Sequence, residues 1–510
     1  MLDIQKLEAF RRSIYEILPV RRDATLNLYD ALSADGHNVK SITQLCESQH
    51  YERQYPSITD AISNGLPHAP WKALQKVAHN SVRDNKKRTV VVVDTTPQPR
   101  PFAKTLVDRH YTHSANPAPG NKPICVGHQY SVLSYLPDYS DRGSTSWLIP
   151  MDTQRVSSDK KGHEIGMQQV GSFIDNLSLQ NQLVVSIADS AYGTDNCRKI
   201  VSSYPNLVSI FRLKSNRNIF SIAADNDQQS AGNKKRYDEK MKLNDVSTHR
   251  PPDAVTEFCW TTRGGKQQTI KVECWYDQVL RGTNTYRGYE HPMTVARISA
   301  YDPNGKMIYQ HPLWIAVLGK RRDEISAFEI FDYYLSRYDI EHFFRFGKEK
   351  LLLDDFQTFD TEHEEDWWRF ATLAYTQLYL ARKLVALLPK KWERYLPIYK
   401  NQGNHQIKSP AQTQRGFSNV LQQLEQIDTA PVQRGNPLGR SSGDLQEKRK
   451  ELEIVCKQTK QQKPIITTSE KKAKLPEPQK IDEVITVVKS MLEKIDFTTE
   501  NFIELLQKSV

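Results

Sequence analysis

Two short apolar runs, each closing on an aspartate, constrain this chain more than any other feature. TVVVVD runs from Thr89 to Asp94, and QLVVSIAD runs from Gln182 to Asp189. Short β-branched runs of this kind read as buried strands. A single carboxylate at a strand end is usually a solvated turn residue or a cap. Two of them are another matter, because open sheets bind ligands beyond their strand ends. Adjacent carboxylates repel one another unless a proton or a cation intervenes. A hard cation such as Mg²⁺ takes carboxylate oxygens and fits that need.

The segments around these runs predict one mixed α/β sheet. HQYSVLSYLP (from His128) and STSWLIPMDTQRV (from Ser144) read as two more strands, Gly162 to about Leu179 as a helix, and LVSIFRL (from Leu207) as a fifth strand. The order strand, strand, strand, helix, strand, strand suits a single layer with helices packed on it. Residues 1–85 form a helical module, with Leu7, Phe10, Ile14 and Leu18 at helical spacing and Ser41 placed to cap a later helix. Such a module either contacts DNA or serves as a packing or dimerisation arm. Residues 86–213 make the first part of the core, and 214–320 a mainly β insertion whose last strand, LWIAVLG, begins at Leu313. Residues 321–390 make the second part, with one helix from Asp323 to Leu352 and another from Asp366 to Leu388. Residues 391–510 form a basic, partly flexible C-terminal region ending in a helix over Ile481–Gln507.

Composition excludes several classes. At 510 residues the chain is too long for one ordinary domain, and its 23 Tyr, 17 Phe and 8 Trp are enough to build cores, which rules out wholesale disorder. No run of about 18 apolar residues is present, so no membrane span is expected. The opening MLDIQKLEAFRRSIYEILPVRR is amphipathic and does not read as a signal peptide. The six cysteines contain no C-x-x-C pair, which argues against a zinc ribbon or a disulfide framework and for a cytoplasmic protein. The net charge of +10 is concentrated: Arg382–Lys474 carries 19 Lys/Arg against 8 Asp/Glu. That is the electrostatic footprint of a polyanion binder, or else a solvated tail.

A third carboxylate lies in YYLSRYDIEHFFRFGKEK. On a continuous helix Tyr334, Arg337, Glu341, Arg345 and Lys348 share an arc of roughly 80°, with Ile340, Phe343, Phe344 and Leu351 largely opposite. Glu341 could simply pair with Arg337 and Arg345, contacts worth only about 0.3–0.5 kcal/mol each. The same face, three cations and a phenol around one acid, also suits a phosphodiester beside a metal ion.

Here the chain resembles a family. Tyr334, Arg337, Glu341 and Lys348 fill the pattern Y-x2-R-x3-E-x6-K without gaps. That pattern resembles the signature helix of insertion-sequence DDE transposases, whose catalytic core is RNase H-like. DTTPQPRPFAKTLVDRHY, from Asp94, also resembles the region after the first acid in one branch of that family. The separations, 95 residues from Asp94 to Asp189 and 152 from Asp189 to Glu341, leave room for the β insertion such proteins carry. One departure is Ala191, where many relatives have glycine after the second acid; Gly193 stands nearby. The resemblance implies a DNA transposase that cuts the inverted-repeat ends of a mobile element and joins them to target DNA. It implies Asp94, Asp189 and Glu341 as catalytic acids holding two divalent ions, Mg²⁺ or Mn²⁺. It implies Tyr334, Arg337 and Lys348 as DNA contacts, with Arg345 as a further one outside the signature. It also implies a homodimer to hold two ends, and a nucleoid-associated location. Trp260, Trp275 and Trp314 are candidates to stack on a flipped base. RGNPLGR, Arg434–Arg440, resembles a minor-groove hook or is a linker. An RNase H-fold nuclease that cuts without joining, and a catalytically silent DNA-binding derivative, would keep much of the same sequence.

Overall fold

The valine run does form a buried strand, and the sheet is built outward from it. In the computed structural model, the structure describes residues 2–83, 88–113, 123–223, 236–283, 285–388, 407–432 and 448–456, plus positions 441, 443 and 445. The first strands are β1 (Arg88–Pro99), β2 (His110–His113), β3 (Ile124–Tyr135), β4 (Ile149–Val156), β5 (Leu183–Ala188) and β6 (Leu207–Arg212). Their order is β4–β3–β1–β5–β6. β3 runs antiparallel to both β1 and β4, whereas β5 and β6 run parallel to β1. This is the RNase H-like arrangement. Val91, Val92 and Val93 are fully buried, as a central strand without polar alternation requires. The short β2, which adds to β3 through His110 opposite Gly127, was not expected from the sequence.

β1 does not stop at Asp94 as expected. It continues to Pro99 because β3 goes on pairing with it, down to Pro99 opposite Gly127. Pairing with β5 ends at Val92, so the far side of the strand has no ladder there and tolerates Pro97 and Pro99.

The segment after β6 extends the same sheet. It supplies β7 (Asn218–Ile222), β8 (Tyr237–Lys242), β9 (Ala254–Thr261), β10 (Gln267–Val279), β11 (Met293–Tyr301) and β12 (Leu313–Leu318). β12 pairs antiparallel with β6, and the order continues β12–β11–β10–β7–β8, with β9 on β10.

The helices are α1 (Leu2–Ile17), α2 (Arg22–Asp35), α3 (Pro56–Asp60), α4 (Trp71–Val82), α5 (Tyr139–Arg142), α6 (Gly162–Asn176), α7 (Asp195–Ser203), α8 (Ala327–Ser336), α9 (Asp339–Lys350), α10 (Thr361–Leu387) and α11 (Pro410–Leu421). α6 packs on β1, β3 and β4. It lies so close that a Cβ on Gly166 would meet the Val93 side chain at 2.7 Å. Alternation along β1 sends Asp94 to the opposite face, where α9 packs. α10, at 27 residues about 40 Å long, covers that face too, with Trp368 stacked on Tyr130 at 4.2 Å. α1, α2 and α11 pack against α10 in turn, which buries Leu7, Phe10, Ile14 and Leu18. α11 was not expected; its start is marked by Ser409 with Gln412 three residues on and Pro410 between.

The expected helix from Asp323 to Leu352 is two helices. α8 starts at a Ser326–Glu329 capping box, and α9 starts at Asp339. Between them Tyr338, Ile340 and Glu341 donate to the carbonyls three residues back. This tightened turn re-aims α9 toward β1. Residues 391–406, RGNPLGR from 434 to 440 and the proposed helix Ile481–Gln507 lie outside the described residues. Among the described residues no helix is long and apolar enough to cross a membrane, and all six cysteines are free thiols.

Candidate active site

Strand register brings the first two acids together. Val92 lies opposite Ile187 on the parallel β5, so Asp94 and Asp189 each stand two residues further on, at one level. Asp189 leaves the end of β5 and caps a short turn, its Oδ1 accepting from the Ala191 amide at 2.8 Å. Gly193 closes this turn, and a Cβ there would meet the Phe211 ring at 3.0 Å. Asp94 Oδ1 accepts from the Thr95 amide at 2.8 Å, and its Oδ2 accepts from Arg337 Nη1 at 3.0 Å.

Arg337 sits at the break between α8 and α9. It holds Asp94 with one nitrogen, and its Nη2 lies 3.5 Å from Glu341 Oε1 one turn on. Its guanidinium lies 5.7 Å from the centre of the half-buried Tyr334 ring. Burial pushes the Asp94 carboxyl up to about 6, and Asp189 and Glu341 add to that rise against the pull of Arg337. Asp189 and Glu341 therefore both act on Asp94 electrostatically, and one arginine lies between Asp94 and Glu341.

The remaining members of the signature face separate. Lys348 donates to the Pro97 carbonyl on β1 at 2.5 Å and pairs with Asp354 at 3.3 Å. Arg345 is exposed and bonds His342 at 2.9 Å. The single arc of five residues assumed an unbroken helix, and the break at Arg337 divides it. Trp275 and Trp314 are buried, only 2% and 3% exposed, and Arg297 lies over both rings, so neither is available to stack on a base. Trp260 is half-buried against Phe328 and Phe331.

Four further residues frame the site. Arg212 ends β6, and because Ala188 lies opposite Phe211 it stands level with Asp189 on the next strand. Its charge also reaches Tyr334. Asp339, the first residue of α9, is buried and accepts from both arms of Arg263 at 2.6 and 2.7 Å. Arg142 lies 3.4 Å from the same carboxylate and donates to Ser336 Oγ at 2.9 Å. The tip of the β9–β10 hairpin thus grips the helix that carries Glu341. Arg212 carried no signal beyond being the one charged residue in the strand run LVSIFRL, whereas Arg263 was signalled by the turn sequence TRGGK.

Hard oxygen donors from three elements fit a divalent cation in chemistry. Among the described residues no three His, Cys, Asp or Glu side chains already stand close enough to hold a metal. The place between Asp94 and Glu341 is filled instead by the positive charge of Arg337.

A model of the DDE superfamily endonuclease family matches residues 13–280, just over half of the chain. The matched span contains Asp94, Asp189 and Arg212 and ends before Glu341. No curated protein matches this chain.

Proposed function

Since the chain belongs to the DDE superfamily endonucleases, whose substrate is DNA and which generally use divalent metals, we propose that it is a DNA transposase with Asp94, Asp189 and Glu341 as its catalytic acids. The observation that carries this reading is the strand register that sets Asp94 level with Asp189, with Arg337 reaching from Asp94 to Glu341 and the Asp94 carboxyl raised to about 6. Carboxylates crowded in this way are short of positive charge, and perturbed acids of this kind cluster at functional sites. Divalent ions, Mg²⁺ or Mn²⁺, held by these three acids would supply Lewis-acid polarisation of a scissile phosphodiester.

The chain's own residues do the rest. Arg337, within reach of both Asp94 and Glu341, would ground a non-bridging phosphate oxygen. Tyr334 lies beside it and orients the same group. Lys348 fixes the far end of β1 two turns along from Glu341 and would contact the DNA backbone there. Asp339, gripped by Arg263 and Arg142, holds α9 against the sheet and so keeps Glu341 facing the two aspartates. A homodimer is part of this proposal, because two element ends must be held together for joining.

The test is an end-cleavage assay. A labelled duplex carrying the inverted repeat beside the gene is incubated with protein and Mg²⁺, or with EDTA. Cuts at the repeat boundary and joined products are expected with Mg²⁺, and neither from Asp94→Ala, Asp189→Ala or Glu341→Ala. Cuts without joined products would favour a nuclease. Equal cleavage by all three variants would sink the site assignment.

A further inference from the structure

Four cations gather, without acids, just past the end of β6. Lys214, Arg217, Lys240 and Arg281 line an open cleft of about 520 Å³ together with Asn216, Asn218, Phe220 and Leu280. All four are exposed, and among the described residues none forms a salt bridge. Several other cations of the same segment are answered by acids. Lys242 pairs with Asp245, Arg250 with Glu239, Arg287 with Glu290 and Arg322 with Asp277. Asp238, two residues from Lys240 on β8, has a partner of its own and does not line the cleft.

The cleft is built from the sheet. Lys240 stands opposite Phe220 across the β7–β8 pair, so both project from one face. Arg281, just after β10, lies over the Phe220 ring at 4.9 Å. A guanidinium on an aromatic face is held in place and stays weakly hydrated, which favours anion contact. Like charges left together without counter-charges repel, so their grouping needs an anion to be stabilising. Its position narrows the choice of anion. Lys214 follows Arg212 by two residues, and Arg212 is level with Asp189 on the neighbouring strand, about 5 Å away by strand spacing. One wall of the cleft, Lys214 and Arg217, therefore begins where the acid-bearing parallel strands end, and β7, β8 and the end of β10 supply the other.

We propose that this cleft binds the phosphodiester backbone of DNA flanking the phosphate that is cut. This inference rests on the endonuclease reading and assigns that reaction a second DNA contact, away from the acids. Phosphate oxygens would meet Lys214, Arg217, Lys240 and Arg281, with the amides of Asn216 and Asn218 as additional donors. Such contacts fix register on the duplex and carry no sequence information.

The test is the salt dependence of binding, which needs no catalysis. Fluorescence anisotropy with a labelled duplex, without metal, gives the slope of log K against log salt for wild type and for Lys214→Ala/Arg217→Ala/Lys240→Ala. Each lost phosphate contact lowers the slope by about 0.9, so the triple variant should lose about 2 to 3. Removing the same charge from Lys199, Lys306 and Lys320 should lower it by less than about 1. Should the triple variant fold poorly, Lys214→Ala and Lys240→Ala alone should each lower it by about 0.9. Equal losses in cleft and control variants would overturn the proposal. So would saturable binding of inorganic phosphate that the triple variant loses while its DNA slope stays at the wild-type value. Cleavage that persists with an unchanged slope sinks this inference alone; wild type that binds no DNA sinks the endonuclease reading with it.

Discussion

Arg337 with Asp94, and Arg100 with Glu364, are both arginine–carboxylate pairs on the same face of the sheet, yet the two acids move in opposite directions. Burial alone would raise the Glu364 carboxyl, but His128, Arg100 and Tyr130 outweigh it and hold it below the usual range. Its partners lie at 2.5 Å (His128 Nδ1), 2.9 Å (Arg100 Nε) and 3.1 Å (Tyr130 OH), all buried. Arg100 in turn donates to the carbonyls of Asp354 and Phe356. Asp94 has one arginine and one amide, and it faces two other acids. Burial is common to both. What separates them is whether the negative charge is fully answered, and a site short of one cation is a site that can take one.

The difference can be broken most forcefully at Glu364. Glu364→Ala strands Arg100 in the core and should cost about 3–5 kcal/mol in urea unfolding. Asp94→Asn should instead stabilise the metal-free protein, by about 1–2 kcal/mol at pH 7, since it removes a charge the fold disfavours. Similar losses from both would erase the distinction.

Asp339 is the intermediate case, a buried acid answered by two arginines. Arg263→Ala should loosen α9 and slow DNA cleavage about 10- to 100-fold while duplex affinity stays within about twofold. Arg263→Lys should recover part of the rate. An equal fall in affinity would mean that Arg263 binds DNA directly.

A pH series sharpens the comparison further. Asp94 rises from 3.8 to about 6 on folding, so its contribution is present below pH 3.8 and is lost as pH climbs through 6. Glu364 is lowered from 4.5, so its contribution is present above 4.5 and is lost as pH falls through its folded value. The stability of wild type relative to Asp94→Asn should therefore decline between about pH 4 and 6, whereas that relative to Glu364→Gln should decline below about 4.5. Parallel curves would contradict the assignment. The smallest effect is expected at the exposed Arg345, where alanine should change thermal stability by less than about 0.5 kcal/mol.

Much of this was legible in the sequence because buried parallel strands write themselves as continuous apolar runs. TVVVVD and VVSIAD gave the sheet centre and the first two acids together. The apolar side of α9 was legible as well, since Ile340, Phe343, Phe344 and Leu351 are all buried. Tertiary contacts hid the rest. β1 runs on past Asp94 only because β3 continues beside it, and no local pattern records that. A helical wheel cannot show a turn tightened around Arg337, the residue that reaches Asp94 and Glu341. Trp275 and Trp314 carry the same letters whether they stack on a base or, as here, pack tilted against one another beneath Arg297. Arg212 matters through register across two strand pairs, which becomes visible only once the strands are aligned.

The most direct measurement is Mn²⁺ binding by calorimetry at pH 7.5, on wild type and on Asp94→Asn, Asp189→Asn and Glu341→Gln. If the three acids form one cation site, wild type binds saturably and each variant weakens binding by at least about tenfold, roughly 1.4 kcal/mol. Binding that is unchanged in all three variants would contradict the account.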